Sequence, residues 1–360
     1  MSNDKDNNRL SSGYIDTYRG SYRIMVIGIT IMIIASVVTA ITFGIITKTY
    51  TSIEQNTTEP YEEHFAFIVD DRDSEFWDEV YEAAKNKATE EGILLEDIEK
   101  SLLVGYSNED LLRVAINSSV DGIVYAGSAS EESIALINEA EEKGIGVAVL
   151  QNDIESSSRQ CFVGANNYEI GQMFAAQIFD ILKTDTKNHT VTILASCDMT
   201  EGATNLITLA IEDYLLEHVE DTELPDIEIL RINAEDTFSV EEEIRNIILN
   251  ERTLPEIMIC LEGIYTQCVT QAIVDYNRVG ELQVVGYFAN DDIVNAIDKE
   301  ILHSTVSIDT KEMGQSCITA LEEYIKMGYT NSYVPVKMEI IDRREAHKLV
   351  NEEETEDDEI

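Results

Sequence analysis

From His64 onward, short apolar runs alternate with stretches of helical period, and this alternation constrains the fold more than any other feature of the chain. The runs cover residues 64–69, 122–125, 146–150, 191–195, 227–232, 257–261 and 282–287. Between or beside them, residues 76–90, 131–143, 168–182, 240–250 and 264–278 carry apolar side chains every three or four positions. Continuous apolar strands followed by amphipathic helices imply parallel sheets covered on both faces. The expected class is therefore doubly wound α/β. In such sheets ligands gather at the carboxyl ends of the strands, so the residues just after each run are the first place to look for a site.

Ahead of this pattern lies a segment of a different kind. Residues 24–46 are uncharged and mostly apolar. At about 1.5 Å per helical residue they reach roughly 34 Å, enough to cross a hydrocarbon core of about 30 Å. Lys5, Arg9, Arg19 and Arg23 precede the run, whereas Lys48 is the only Lys or Arg between it and Arg72. The positive-inside rule then keeps the N-terminus cytoplasmic and places the rest outside. This gives a leader at 1–23, a transmembrane helix at 24–46 and a polar linker at 47–61. The alternative is a signal peptide cleaved after Ala40, with Val38 at the matching small position. The apolar run continues beyond Ala40 without a polar stretch, which favours a retained anchor. No cysteine stands near the run, so lipoprotein processing is excluded.

Charge narrows the choice of partner. Seventy acidic residues against 25 basic ones give a formal net charge of -45, which repels nucleic-acid phosphates and anionic lipid. A solvated surface accounts for this acidity without involving a ligand. Residues 346–360 form an acidic tail, of which Glu352–Glu359 read as a disordered end. Cys161, Cys197, Cys260, Cys268 and Cys317 are odd in number and lack CxxC spacing, so they suggest neither a disulfide framework nor a zinc site. Most read as buried small hydrophobes, with one bridged pair left open.

Several blocks, in order, resemble a known family. They are FAFIVDDRDSEFWDEVYEAAKNKATEEG at 65–92, VDGIVYAGSASEES at 120–133, EKGIGVAVL at 142–150, FVGANNYEIG at 162–171, VVGYFANDDIVNAIDKEIL at 284–302 and STVSIDTKEMG at 304–314. Together they resemble the type I periplasmic sugar-binding proteins, the ribose- and galactose-binding class that shares its ligand-binding domain with the lactose repressor. The resemblance implies two similar lobes closing on a ligand by hinge motion. The first lobe would be 62–165 plus 309–335 and the second 166–308 plus 336–345, with crossings at Ala165, Ile308 and Pro335. A membrane span stands where the repressors carry a DNA-reading head, so a repressor role is rejected.

The same resemblance implies a ligand site. Sugar binders sandwich the apolar C–H face of a sugar between aromatic rings and pair its hydroxyls with polar side chains. Phe76 and Trp77 match the family's aromatic pair and Ser74 its nearby polar residue; the competing view is that the two rings only begin an amphipathic helix and pack inward. Gln151 and Asn152 stand where an acid and an arginine are usual. Glu262 replaces an asparagine, Phe288 an aspartate and Ile308 an amide, while Tyr287 keeps an aromatic. The second-lobe arginine has no counterpart. A site of this composition is more apolar than the family's and suits a cationic or aromatic-bearing ligand, unless small-molecule binding has been lost.

Catalysis has no support in the sequence. GxSxG, HExxH and P-loop motifs are absent. Asp70, Asp71, Asp73 and Glu75 lack the glycine and terminal bidentate glutamate of a calcium loop, and the histidines are dispersed, so neither a metal nor a cofactor is expected. The expected protein is a tethered, extracytoplasmic solute-binding protein for a small, sugar-like ligand. It would serve a membrane importer or a sensor kinase; a degenerate domain acting through protein contacts is the third reading.

Overall fold

A computed structural model describes residues 61–69, 74–101, 105–183, 190–197, 199–219, 224–232, 237–250 and 254–357. The segment 24–46, the expected linker up to residue 60 and the acidic stretch 70–73 lie outside these. Among the described residues no helix is long and apolar enough to cross a membrane.

The chain first lays down β1 (Glu63–Val69), α1 (Glu75–Glu91), β2 (Ile93–Asp97), the short α2 (Ile98–Ser101), α3 (Asn108–Ser118), β3 (Gly122–Ala126), α4 (Glu131–Glu142), β4 (Gly146–Leu150) and β5 (Cys161–Gly164). It then builds α5 (Asn167–Leu182), β6 (Thr190–Ser196), α6 (Glu201–His218), β7 (Asp226–Ile232), α7 (Thr237–Leu249), β8 (Ile257–Cys260), α8 (Gly263–Asp275), β9 (Gln283–Tyr287), α9 (Asp291–Asp298) and β10 (Ser304–Ile308). It returns through α10 (Thr310–Met327) and β11 (Tyr333–Pro335), and ends with β12 (Met338–Ile341) and α11 (Arg343–Asp357).

These elements form two sheets, ordered β11-β5-β4-β3-β1-β2 and β12-β10-β9-β8-β6-β7. All pairings are parallel except β10 with β12. The fold is thus α/β with two parallel-sheet lobes. Strands β3, β4 and β8 are buried at every residue, which is why they read as unbroken apolar runs. Helix starts were written locally. Ser74, Ser107, Ser130, Asn166, Thr200, Asn290 and Asp309 each accept a backbone N–H of the first helical turn.

The chain passes between sheets after β5, after β10 and after β11. Ala165 follows β5, Ile308 ends β10 and Pro335 ends β11. The passages are bonded to one another: Val336 donates its backbone N–H to the Gly164 carbonyl (3.1 Å), and Asp309 donates to the Lys337 carbonyl (3.0 Å). Each of the first two passages opens a helix with a similar stretch, YEIGQ at 168–172 and KEMGQ at 311–315. In both, the glycine lets two helices touch backbone to backbone. A Cβ on Gly171 would lie 2.5 Å from the Ile207 carbonyl oxygen of α6, and one on Gly314 would lie 2.3 Å from the Val80 carbonyl oxygen of α1.

One expectation is corrected. Glu352–Glu359 read as a disordered end in the sequence, but α11 keeps the backbone helical through Asp357, extending a helix whose inner residue Ala346 is fully buried.

Candidate functional site

Two strand ends, one from each sheet, bring aromatic rings together. After β1, Ser74 caps α1, its Oγ accepting the Trp77 N–H at 3.5 Å. That cap fixes the first turn and sends both Phe76 and Trp77 into buried positions, with their ring centroids 4.8 Å apart. From the other lobe, Tyr287 ends β9 and Phe288 follows it. Phe76 meets Phe288 edge-on at 5.4 Å and Tyr287 at 6.4 Å. Phe76 therefore packs inward, and it does so across the lobes.

The second-lobe half is held rigidly. The Thr266 hydroxyl accepts the Tyr287 N–H at 2.9 Å and donates to the Tyr287 carbonyl at 3.0 Å. Phe288 donates its N–H to the Val306 carbonyl at 2.9 Å and accepts the Thr305 hydroxyl at 2.6 Å. Its φ is +70°, an uncommon, strained value for a bulky side chain, and these bonds hold it there. Gly263 leaves room beside it, since a Cβ there would approach the Phe288 Cβ to 3.3 Å. Burial pushes the Tyr287 phenol up, and the Glu262 carboxylate adds to the shift.

The remaining expected residues are placed apart from the rings or only beside them. Glu262 directly precedes α8, partly exposed and making no side-chain cap. Gln151 and Asn152 follow β4, both partly exposed, Gln151 at a φ of +61°. Their backbone N–H groups donate to the Val163 and Leu150 carbonyls. The structure thus brings Phe76, Trp77, Tyr287 and Phe288 into one cluster, with Ser74 shaping it. No contact of Gln151 or Asn152 with the rings is among the described interactions.

Sequence reasoning missed a polar layer around this cluster. Asn290, capping α9, donates its side-chain N–H to Glu75 across the lobes. One turn on from Glu75, Glu79 accepts the Thr310 hydroxyl at 2.7 Å. Its carboxyl is held above the usual range by partial burial first, and then by the nearby Glu75 and Asp291 charges, with the Thr310 bond working against both. The signal was present as two glutamates four apart on one helix face beside Phe76, but nothing local named their partners. A cavity of about 620 Å³ opens next to this layer, lined by Glu75, Asn290 and residues of α7, α8 and α9. A second, of about 540 Å³, follows the crossings at Pro335, Val336 and Lys337. Neither is lined by the aromatic cluster.

All five cysteines are free thiols, so the bridged pair left open in the sequence is not formed. Burial pushes the Cys161 thiol up to about 11 and those of Cys260 and Cys317 higher still. Such thiols stay protonated and inert.

Known proteins match this fold. Residues 65–329 match the family described as periplasmic binding protein domain. Among solved structures, GanP, a glucose-galactose binding protein from Geobacillus stearothermophilus, is 20% identical with a TM-score of 0.63, covering 80% of this chain and 99% of that one. A structure titled XylFII-LytSN complex is 19% identical with a TM-score of 0.64, covering 79% and 100%. A solute-binding protein of an ABC transporter from Burkholderia graminis, in complex with D-arabinose, is 15% identical with a TM-score of 0.65, covering 80% and 98%. At these identities the likeness is one of fold. No curated protein matches the chain.

Proposed function

The chain belongs to the periplasmic binding protein domain family, and from that premise we propose an extracytoplasmic, membrane-tethered receptor that takes a small, carbohydrate-like ligand between its lobes. The observation that carries the reading is the meeting of Phe76 with Tyr287 and Phe288, ring against ring, at strand ends of two different sheets. Aromatic faces at that junction suit the C–H face of a sugar or an aromatic substituent. Ser74, Gln151, Asn152 and Glu262 form the polar rim that would pair with hydroxyls or an amine. The crossings at Ala165, Ile308 and Pro335 act as the hinge. Entry of a ligand parts Phe76 from Phe288 and breaks the Glu75–Asn290 bond.

Structural neighbours bind sugars by their own titles, which supports the ligand class. A further neighbour is titled as a complex of XylFII with LytSN, which supports a partner protein beside the ligand. The apolar segment 24–46 supplies the tether. The second reading, a domain that works through protein contacts alone, is favoured by one fact: the junction is filled by the chain's own rings.

Thermal melting and calorimetry of the full chain in detergent, against monosaccharides, polyols, amines and aryl glycosides, test this. An aryl glycoside is expected to bind more tightly than its parent sugar and to raise stability by about 2.7 kcal/mol at a hundredfold excess over Kd. Phe76→Ala should abolish that gain. Tight binding of an ordinary neutral monosaccharide overturns the apolar site, and no binding by any class leaves the protein-contact reading.

A further inference from the structure

The second lobe exposes an apolar edge. In α6, Leu206, Leu209 and Leu216 are 39%, 48% and 54% exposed, while Thr204, Ile207, Ile211 and Leu215 of the same helix are buried. At 3.6 residues per turn the two sets occupy opposite faces, so the helix carries an apolar stripe toward solvent as well as one toward the core. Asp213 lies within that outer stripe and accepts the Tyr168 hydroxyl at 3.2 Å. Beside α6, β7 ends its sheet and pairs only with β6 among the described residues. Its Ile229 and Leu230 are both exposed. Arg231 binds helix and strand together, donating to the Ser196 and Met199 carbonyls and to the Thr204 hydroxyl. A leucine stripe flanking an open, apolar edge strand is the kind of surface that pairs with another chain.

We propose that this edge binds a second copy of the chain, two β7 strands pairing antiparallel about a two-fold axis at Ile229. The choice of occupant follows from the charge pattern of the strand, DIEILRI. Antiparallel self-pairing keeps each residue on its own face, so partners must be an even number of positions apart. Centred on Ile229, all of β7 pairs: Ile229 with Ile229, Glu228 with Leu230, Ile227 with Arg231 and Asp226 with Ile232. No like charges stand opposite. Centring on Glu228 instead sets two carboxylates against each other, which is destabilising, and centring on Leu230 leaves Asp226 and Ile227 unpaired. The two-fold at Ile229 also brings both α6 helices to one face of the joined sheet, an isologous interface that closes on itself.

A chain of net charge -45 repels its copy at long range, although the edge itself is mostly apolar. That repulsion is screened as the Debye length falls from about 10 Å at 0.1 M salt to about 3 Å at 1 M. Association should therefore strengthen with salt, opposite to an interface made by charge attraction.

The test uses the full chain in detergent with Cys197, the one exposed thiol among the described cysteines, changed to serine. Ile229→Cys is expected to form a covalent dimer under mild oxidation, and Leu94→Cys, on the corresponding edge of the first lobe, is not. Sedimentation should give twice the monomer mass, more so at high salt, and Ile229→Lys should restore the monomer with an unchanged circular dichroism spectrum and a melting temperature that no longer rises with protein concentration. Crosslinking no faster at 229 than at 94, a monomer at every salt and protein concentration, or a dimer that survives Ile229→Lys overturns the proposal.

Discussion

In the first lobe α10 crosses α1 at Gly314, and in the second α5 crosses α6 at Gly171; both glycines occupy the fifth position of a helix that begins just after a crossing. The inner architecture of the lobes is in this respect repeated. Their edges are not. β2 closes the first sheet with Ile93, Leu95 and Asp97 buried and only Leu94 exposed, whereas β7 closes the second with a single buried residue, Ile232. The contrast separates two requirements: a helix pair next to a crossing needs close backbone contact in either lobe, while the cover of an edge strand can differ between them.

The aromatic junction couples the two halves, and cutting it should have the largest effect. Phe288→Ala is expected to cost about 3–5 kcal/mol in chemical denaturation, as for a fully buried ring, and Phe76→Ala a comparable amount. The double variant should lose less than the sum by about 0.5–1.5 kcal/mol, the worth of an edge-on ring pair. Strict additivity would show that the rings serve their own lobes and not each other. Next come the glycines. Gly314→Ala and Gly171→Ala should each cost about 1–3 kcal/mol, because the added methyl meets backbone that cannot move aside. A loss in one lobe only would break the repeat.

Smaller effects sharpen the boundary between the lobes. Glu79 lies in the first lobe and faces Glu75 on its own helix and Asp291 from the other lobe, with Thr310 as its hydrogen-bond donor. Its carboxyl pKa is raised on folding from 4.5. The folded state therefore binds the extra proton, and the wild-type chain gains stability as pH falls through the raised value toward the unfolded one. Glu79→Gln should melt about 1–2 °C higher near neutrality, the effect being small because the partly buried carboxyl still reaches solvent, which screens it. That advantage should vanish in acid, below the unfolded value. An advantage that persists there would assign it to something other than the charge. Smallest of all, Leu209→Lys should change the monomer's stability by less than about 0.5 kcal/mol; a larger loss would place that leucine in the core.

Much of this was legible in the sequence. Strands buried on both faces must be apolar throughout, so GIVYA and GVAVL announce β3 and β4 by themselves. The helix caps are single residues acting within one turn, and the ordered blocks gave the two-lobed plan. The short strands β5 and β11 escaped notice, being too brief to show a period. Phe76, Trp77, Tyr287 and Phe288 were found because they fall in those blocks. Glu75 and Asn290 were not, since 215 positions separate them and neither residue type announces its partner.

By itself the sequence determined which faces needed burial, where helices begin, and the order in which two α/β lobes are built, since these follow from periodicity and from bonds made within a few residues. Tertiary structure alone decided that Phe288, at a φ of +70°, closes against Phe76, and that the outer leucines of α6 and the edge of β7 remain uncovered. An apolar side chain states a demand for cover; what meets that demand depends on elements hundreds of residues away, or on another molecule.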